Sequence, residues 1–435
     1  MVIGRGVTDR LLSPPEVREI VEQSMATLDP AWRRVLVLIP DGTRSMPLPW
    51  LVDLLDETLG PRVEALDYLV ALGTHRPMSD EQLGRLIGRT VVKGRAGSSR
   101  VFNHHASQSG ELVQLGTIPA AEIAAITGGL LDEELPVRLN RLVLEYDALL
   151  VCGPVFPHEV VGFSGGNKYF FPGIAGPEVI NLTHWLGALI SSFEVIGAGY
   201  TAVRAVVDRA AALIGCPKRC LAAVVTGSGL AGLFFGEPHE AWQAAAKLSA
   251  RVHVVWVEKP FRRVLSVMPA MYEDLWTAAK GMYKAEPAVA DGGEVVIYAP
   301  HLTEVSFTHG PAIEAIGYHC RDYFLGQWER FRTVPGGVLA HSTHLKGLGR
   351  WDAATCVETP RIRVTLATGI SEPRCRHLNL GYLDPAEVDV DAWKGREDEG
   401  VLVVPRAGEM LYRVRASLQN ADPLAGPKEE PWTTD

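Results

Sequence analysis

Three of the thirteen histidines in this 435-residue chain sit in or just after polar, glycine-rich loops that follow apolar runs, where an imidazole is placed to move protons. His75 lies in Gly73-Thr74-His75-Arg76-Pro77 and His158 follows Gly153-Pro154-Val155-Phe156-Pro157. His184 lies in Asn181-Leu182-Thr183-His184-Trp185, sixteen residues beyond Lys168. One histidine in such a place is most often a hydrogen-bonded structural residue, but three at strand ends favour a site. The densest signal is Val161-Gly162-Phe163-Ser164-Gly165-Gly166-Asn167-Lys168, continuing through Pro172-Gly173-Ile174-Ala175-Gly176. Glycines around a lysine let backbone amides come close to a bound group. It is not a Walker loop, because Asn167 precedes the lysine and no Ser or Thr follows it. The lysine suits either a phosphate contact or a nucleophile carrying a tethered cofactor, and a tight structural loop would explain the glycines equally well. Asp41-Gly42-Thr43-Arg44 offers an amide, a hydroxyl and a guanidinium fork to a phosphate or carboxylate, although a helix cap with a surface arginine would read the same.

The elements that must hold these loops alternate strand and helix. Ser13-Pro14-Pro15-Glu16 predicts a capped helix to about Leu28, and Val35–Ile39 a buried strand ending at Asp41. A helix from Pro49 to about Leu59 and a strand Ala65–Leu72 lead to the His75 loop, and Ser79 with Gln82 caps the next helix. Ala148–Val151 reads as the strand before the glycine-rich loop, followed by helices over Pro177–Ile190 and His239–Leu248 and strands over Leu221–Val225 and Val252–Val257. The pattern then restarts, with helices near Tyr272–Ala285 and Ala312–Phe331 and strands at Glu294–Tyr298, Gly337–Ala340 and Ile362–Ala367. This implies an α/β fold of two α/β domains with mostly parallel sheets and a cofactor or substrate cleft between them. The expected boundaries are 1–258, a smaller 259–415, and a polar tail over 416–435.

A net charge of −9 argues against nucleic acid, and no apolar run approaches the ~20 residues of a membrane span. The N-terminus has no apolar secretory segment, which points to a cytoplasmic protein. Six cysteines are too few for a disulfide scaffold, and Cys216 and Cys220 have no second pair to form a zinc site. Gly227-Ser228-Gly229-Leu230-Ala231-Gly232 matches dinucleotide-binding spacing, yet Gly236 and Pro238 would break the helix that such a loop must open. His104 and His105 cannot both enter one site as strand neighbours, and His341 and His344 resemble a metal pair only in spacing; none of the four is placed in the site.

Taken together, the loops resemble the lactate racemase family, whose enzymes use a nickel-pincer nucleotide. The matching blocks are Asp41–Arg44, Gly73–Pro77, His158 with Gly162–Lys168 and Pro172–Ala175, His184, and Ala279-Lys280-Gly281. The resemblance implies nickel pyridinium-3,5-bisthiocarboxylic acid mononucleotide covalently linked through Lys168, with nickel ligated by His184 and soft sulfur donors. It implies that Asp41, Gly42, Thr43 and Arg44 lie against this cofactor and that His75 and His158 form the acid/base pair. Arg44, Thr277, Lys280 and Trp351 would meet the substrate. The implied activity is inversion of the C2 centre of a 2-hydroxy acid by hydride transfer, with cofactor-biosynthesis enzymes acting upstream. Thr277 stands where lactate enzymes carry glutamine, and Trp276 where the family often has tyrosine. A shorter side chain opens space, so the expected substrate is a 2-hydroxy acid other than lactate. A nicotinamide-dependent dehydrogenase using Gly227–Gly232, and a non-catalytic protein that binds the cofactor or a hydroxy acid, remain as alternatives.

Overall fold

Eight strands of one sheet form where the chain carries short apolar or β-branched runs. They are β1 (Ile3–Gly6), β2 (Arg34–Ile39), β3 (Ala65–Val70), β4 (Arg95–Ala96), β5 (Ser99–Asn103), β6 (Ala148–Pro154), β7 (Lys218–Thr226) and β8 (Gly229–Gly236). The computed structural model describes residues 1–227 and 229–415, so the tail expected over 416–435 lies outside the described residues. The sheet order is β1-β8-β7-β6-β2-β3-β5-β4. Its centre, from β7 to β5, is parallel, and antiparallel pairs close both edges. Val35 to Ile39 are at most 1% exposed, as expected of a strand covered on both faces. Since β6, β2 and β3 are adjacent and parallel, their carboxyl ends deliver the glycine-rich, Asp41 and His75 loops to one edge of the sheet.

The flanking helices begin at the expected caps. Glu16 accepts from the Ser13 amide and hydroxyl, both at 2.9 Å, and Ser79 and Gln82 bond reciprocally at 2.9 and 3.2 Å. Their apolar faces bury against the sheet in a core that includes Val17, Val21, Leu51, Val52, Leu55 and Leu83.

The chain groups into two compact units. The first holds Met1–Phe156, Phe163–Ile180 and Arg204–Val252; the second holds Pro157–Gly162, Asn181–Val203 and the described chain from His253. The second unit is built on a five-stranded, wholly parallel sheet. Its strands are β9 (Phe261–Val267), β10 (Val289–Ala299), β11 (Arg363–Thr368), β12 (Gly381–Tyr382) and β13 (Val401–Val404), in the order β12-β11-β10-β9-β13. Its core gathers Val264, Leu275, Met282, Val295, Ile297 and Leu366. The fold is therefore mixed α/β with mostly parallel sheets. Among the described residues no helix is long and apolar enough to cross a membrane.

Three local expectations are corrected, and the doubt over the Gly227–Gly232 spacing is upheld. Gly337–Ala340 is not a strand but part of the buried helix Gly336–Lys346, because a short apolar run lacks the period that separates the two. The helix expected over Ala312–Phe331 is three short pieces, Gly310–Ile316, Arg321–Leu325 and Trp328–Phe331, with Gly317 at φ +71° ending the first. Tyr272–Ala285 likewise divides into Leu275–Ala278 and Lys280–Tyr283. Gly229–Gly236 is strand β8, antiparallel to β7, so these glycines lie in an edge hairpin and do not open a helix over a dinucleotide.

Candidate active site

In the first unit, β2 ends at Ile39 opposite Val70 of β3, which brings Asp41 and the His75 loop side by side. The Asp41 Oδ1 atom accepts from the Thr43 amide at 3.1 Å and the Thr43 hydroxyl at 2.7 Å, while Oδ2 contacts His75 Nδ1. Burial alone would raise the Asp41 carboxyl. Its contacts with His75 and Thr43, and the charge of Arg44, outweigh burial and hold it well below the usual carboxylate range. A carboxylate can only accept, so the His75 proton sits on Nδ1 and the neutral ring presents a lone pair at Nε2. Arg44 donates its amide to Asp41 at 3.4 Å, which closes the turn.

The lysine loop is held more tightly. From Phe163 to Gly176 every residue is buried except Lys168, which is half-exposed on the 3-10 turn Gly166–Tyr169. The fully buried Arg204 donates to the carbonyls of Gly165, at 3.0 Å, and Phe163, and lies 4.1 Å from the centroid of the Trp242 ring. A Cβ at Gly165 would come within 2.6 Å of Val155, and one at Gly166 within 2.7 Å of Trp242, so these positions admit only glycine. Asp208 accepts from Asn167 Nδ2 at 2.9 Å and contacts His239 Nδ1 at 2.8 Å. The amide of Gly73 donates to the carbonyl of Gly173 at 2.9 Å, tying the His75 loop to the lysine loop. Arg204 and Asp208 were not singled out in the sequence. A polar residue in an amphipathic helix gives no sign that it will reach a loop forty residues earlier.

The second unit carries His158, which is 5% exposed. Its Nδ1 accepts from the Val160 amide at 3.1 Å, with a Glu159 carboxylate oxygen 3.4 Å away. A backbone amide can only donate, so neutral His158 carries its proton on Nε2, the reverse of His75. A Cβ at Gly187 would lie 3.1 Å from Val160, so this turn packs on the helix Pro177–Ile190 one turn beyond His184, which is half-buried on the same face. On that helix, Asn181 accepts from the Gly337 amide at 3.1 Å.

The remaining expected residues also lie in this unit. Asp274 accepts the Thr277 amide at 3.0 Å and its hydroxyl at 2.8 Å, so the hydroxyl proton of Thr277 is already engaged. Lys280 is 5% exposed, donates to the Thr277 carbonyl at 3.2 Å and lies 4.9 Å from the Tyr272 ring centroid. Trp351 packs edge-on against Tyr323 at 4.8 Å within an aromatic cluster. Thr277 and Lys280 thus fall in one short stretch, and Trp351 stands with a separate group of rings. Of the histidines left aside, His104 is buried and contacts the Ala175 carbonyl at 3.0 Å and Asn140 Nδ2 at 3.2 Å, as a structural residue would.

The lactate racemase N-terminal domain model matches residues 16–196. The lactate racemase of Thermoanaerobacterium thermosaccharolyticum is 28% identical over 155 residues, 35% of this chain and 32% of that protein. That of Lactiplantibacillus plantarum is 29% identical over 154 residues, 34% and 32% of the two chains. Residues 16–196 of the chain are thus a lactate racemase N-terminal domain. The matched stretch spans about a third of the length of these curated lactate racemases. A crystal structure of a Thermotoga maritima protein is similar along nearly the whole chain, with 31% identity, a TM-score of 0.85, and coverage of 94% of this chain and 100% of that one. The lactate racemase apoprotein of T. thermosaccharolyticum shares the fold, with a TM-score of 0.67 at 19% identity over 94% of each chain. The family's N-terminal domain contains Asp41, His75, His158, Lys168 and His184, whereas Thr277, Lys280 and Trp351 fall outside the matched residues.

Proposed function

We propose that this protein is a 2-hydroxy-acid racemase or epimerase working with a nickel-pincer nucleotide tethered through Lys168. The observation that carries the reading is that Lys168 alone is partly exposed in an otherwise buried, clamped segment from Phe163 to Gly176. An amine fixed in place while its carbonyl neighbours are occupied suits covalent attachment better than a mobile surface lysine would. The half-buried imidazole of His184 is a fitting nickel donor, and Asp41, Gly42, Thr43 and Arg44 form a polar turn able to lie against a nucleotide. When bound, the cofactor supplies an acceptor and donor of hydride at the C2 carbon.

The chain's own residues manage the proton and the carboxylate. His75, kept basic at Nε2 by Asp41, takes the hydroxyl proton from one enantiomer. His158, as the imidazolium, gives a proton back from its own side. Arg44 and Lys280 bind the carboxylate through charge-assisted bonds. Thr277, short and already bonded to Asp274, leaves room for a side chain larger than the methyl of lactate. The protein would receive its cofactor from separate biosynthetic enzymes and act as a cytoplasmic isomerase.

Intact-mass and nickel measurements on protein co-produced with those enzymes test the reading. A mass increment mapped to Lys168 with one nickel per chain is expected, absent in Lys168→Ala. Nickel without an increment would overturn it. An increment with no turnover of any 2-hydroxy acid would favour a non-catalytic cofactor carrier.

A further inference from the structure

The helix Gly336–Lys346 is buried from Gly337 to Lys346, although five of those residues are polar. Three of the five are satisfied: Ser342 donates to the Gly317 carbonyl at 2.8 Å, Thr343 to Ala340 at 2.9 Å and Lys346 to Asn379 at 2.7 Å. The histidines differ. His341 Nδ1 and both ring nitrogens of His344 have no hydrogen-bond partner among the described residues, and neither has the fully buried Tyr318 hydroxyl, whose ring lies 5.7 Å from that of His341. Each such group costs folding free energy if it stays unmet, so a native protein seldom keeps several together without a ligand or water.

His344 lines a cavity of about 30 Å³ together with Ser191, Arg321 and Thr343, room for a water molecule, and His341 is not among its lining residues. His341 belongs to a different neighbourhood. Its ring stacks on Trp276 at 4.0 Å and 7°, and its Nε2 faces the Trp276 carbonyl at 3.1 Å, on the peptide that leads into Thr277. A carbonyl only accepts, so Nε2 carries the proton and Nδ1 is an acceptor. Burial pushes the His341 pKa down to about 3, so the ring stays neutral near pH 7. An orphan acceptor calls for an O–H or N–H donor and repels a carboxylate, which brings only lone pairs. The methyl of lactate offers neither.

We propose that His341 Nδ1 and the Tyr318 hydroxyl bind hydroxyl groups beyond C2, so that the preferred substrates are polyhydroxylated 2-hydroxy acids. This rests on the racemase reading above and assigns the substrate class of that same site.

Calorimetric binding to cofactor-loaded protein, with lactate, glycerate, erythronate and malate as probes, tests the assignment. Glycerate differs from lactate by one C3 hydroxyl, and malate adds a second carboxylate. Affinity should rise from lactate to glycerate to erythronate, with malate no tighter than lactate. His341→Gln keeps an N–H for the Trp276 carbonyl but loses the Nδ1 acceptor, so the erythronate-to-lactate affinity ratio should fall about tenfold. Tyr318→Phe should lower the same ratio by a smaller factor, and it carries the test if His341→Gln does not fold. Malate binding tightest, lactate matching glycerate, or an unchanged ratio in folded variants would overturn the proposal. Turnover and the Lys168 increment are read on the same preparation. Loaded protein that racemises lactate best defeats the hydroxyl assignment and leaves the racemase reading standing. Protein with no increment and no turnover defeats the racemase reading, and the binding ratios still decide whether hydroxyls are recognised.

Discussion

His75 and His158 are the same side chain in segments that follow two parallel strands, β3 and β6, yet their surroundings favour opposite tautomers of the neutral ring. Asp41, ionised and buried, accepts from Nδ1 of His75, so the neutral ring keeps its lone pair at Nε2. The Val160 amide fills the Nδ1 lone pair of His158 and leaves an Nε2 proton. An acceptor-only partner in one case and a donor-only partner in the other leave a lone pair at Nε2 of one neutral ring and a proton at Nε2 of the other, without any difference in residue type. The contrast teaches that, within one protein, the partner at the far nitrogen decides what an imidazole offers at the near one. On the helix Gly336–Lys346, Nδ1 of His341 and both ring nitrogens of His344 show the third possibility, with no hydrogen-bond partner among the described residues.

The sharpest way to break the comparison is to remove each ring. His75→Asn and His158→Asn should each lower racemisation by about 10²- to 10⁴-fold in both directions, as general acid/base groups do. In single-turnover experiments each variant should still oxidise one enantiomer to the 2-keto acid, and the surviving enantiomer should differ between them. If the same enantiomer survives in both, the two rings do not serve opposite sides. Asp41→Asn comes next. It leaves the His75 ring in place but loosens its tautomer, so kcat should fall by about 10²-fold, less than for removing the ring.

Acid stability extends the contrast to the orphan pair. Burial holds His341 and His344 neutral, with pKa values down at about 3 and 4, whereas an unfolded histidine titrates near 6.5. Between these limits the unfolded chain binds more protons than the folded one, so stability present above about pH 6.5 is lost as pH falls toward 4. Urea unfolding at pH 5 should show a loss on the order of 2 kcal/mol per histidine relative to pH 7, and His344→Leu should lose about half as much as the parent. Equal pH dependence in both proteins would show that His344 is not held neutral. Least in energy but most direct, ¹⁵N spectra of the imidazoles should place the neutral proton on Nδ1 in His75 and on Nε2 in His158.

Much of this was legible in the chain. Val35–Ile39 and the caps at Ser13 and Ser79 announce themselves because strand burial and capping are local, and the loops with Asp41, His75 and Lys168 stand out because chemistry-bearing residues follow apolar runs. Gly337–Ala340 misled because four apolar or glycine residues have no measurable period, whereas Gly236 and Pro238 already argued against a phosphate loop where the structure has strand β8. The clamp on the lysine loop by Arg204 and Asp208 was invisible, since it joins residues about forty positions apart.

By itself the sequence determined the α/β alternation, the strand-end position of the candidate loops and the likeness of residues 16–196 to the lactate racemase N-terminal domain, because these depend on residue type, period and spacing. Tertiary structure alone decided which nitrogen of each histidine is occupied, that Lys168 is the one partly exposed residue from Phe163 to Gly176, and that Nδ1 of His341 has no donor among the described residues. Those properties depend on which donor or acceptor from a distant part of the chain arrives within about 3 Å, and that distance is written nowhere in the local sequence.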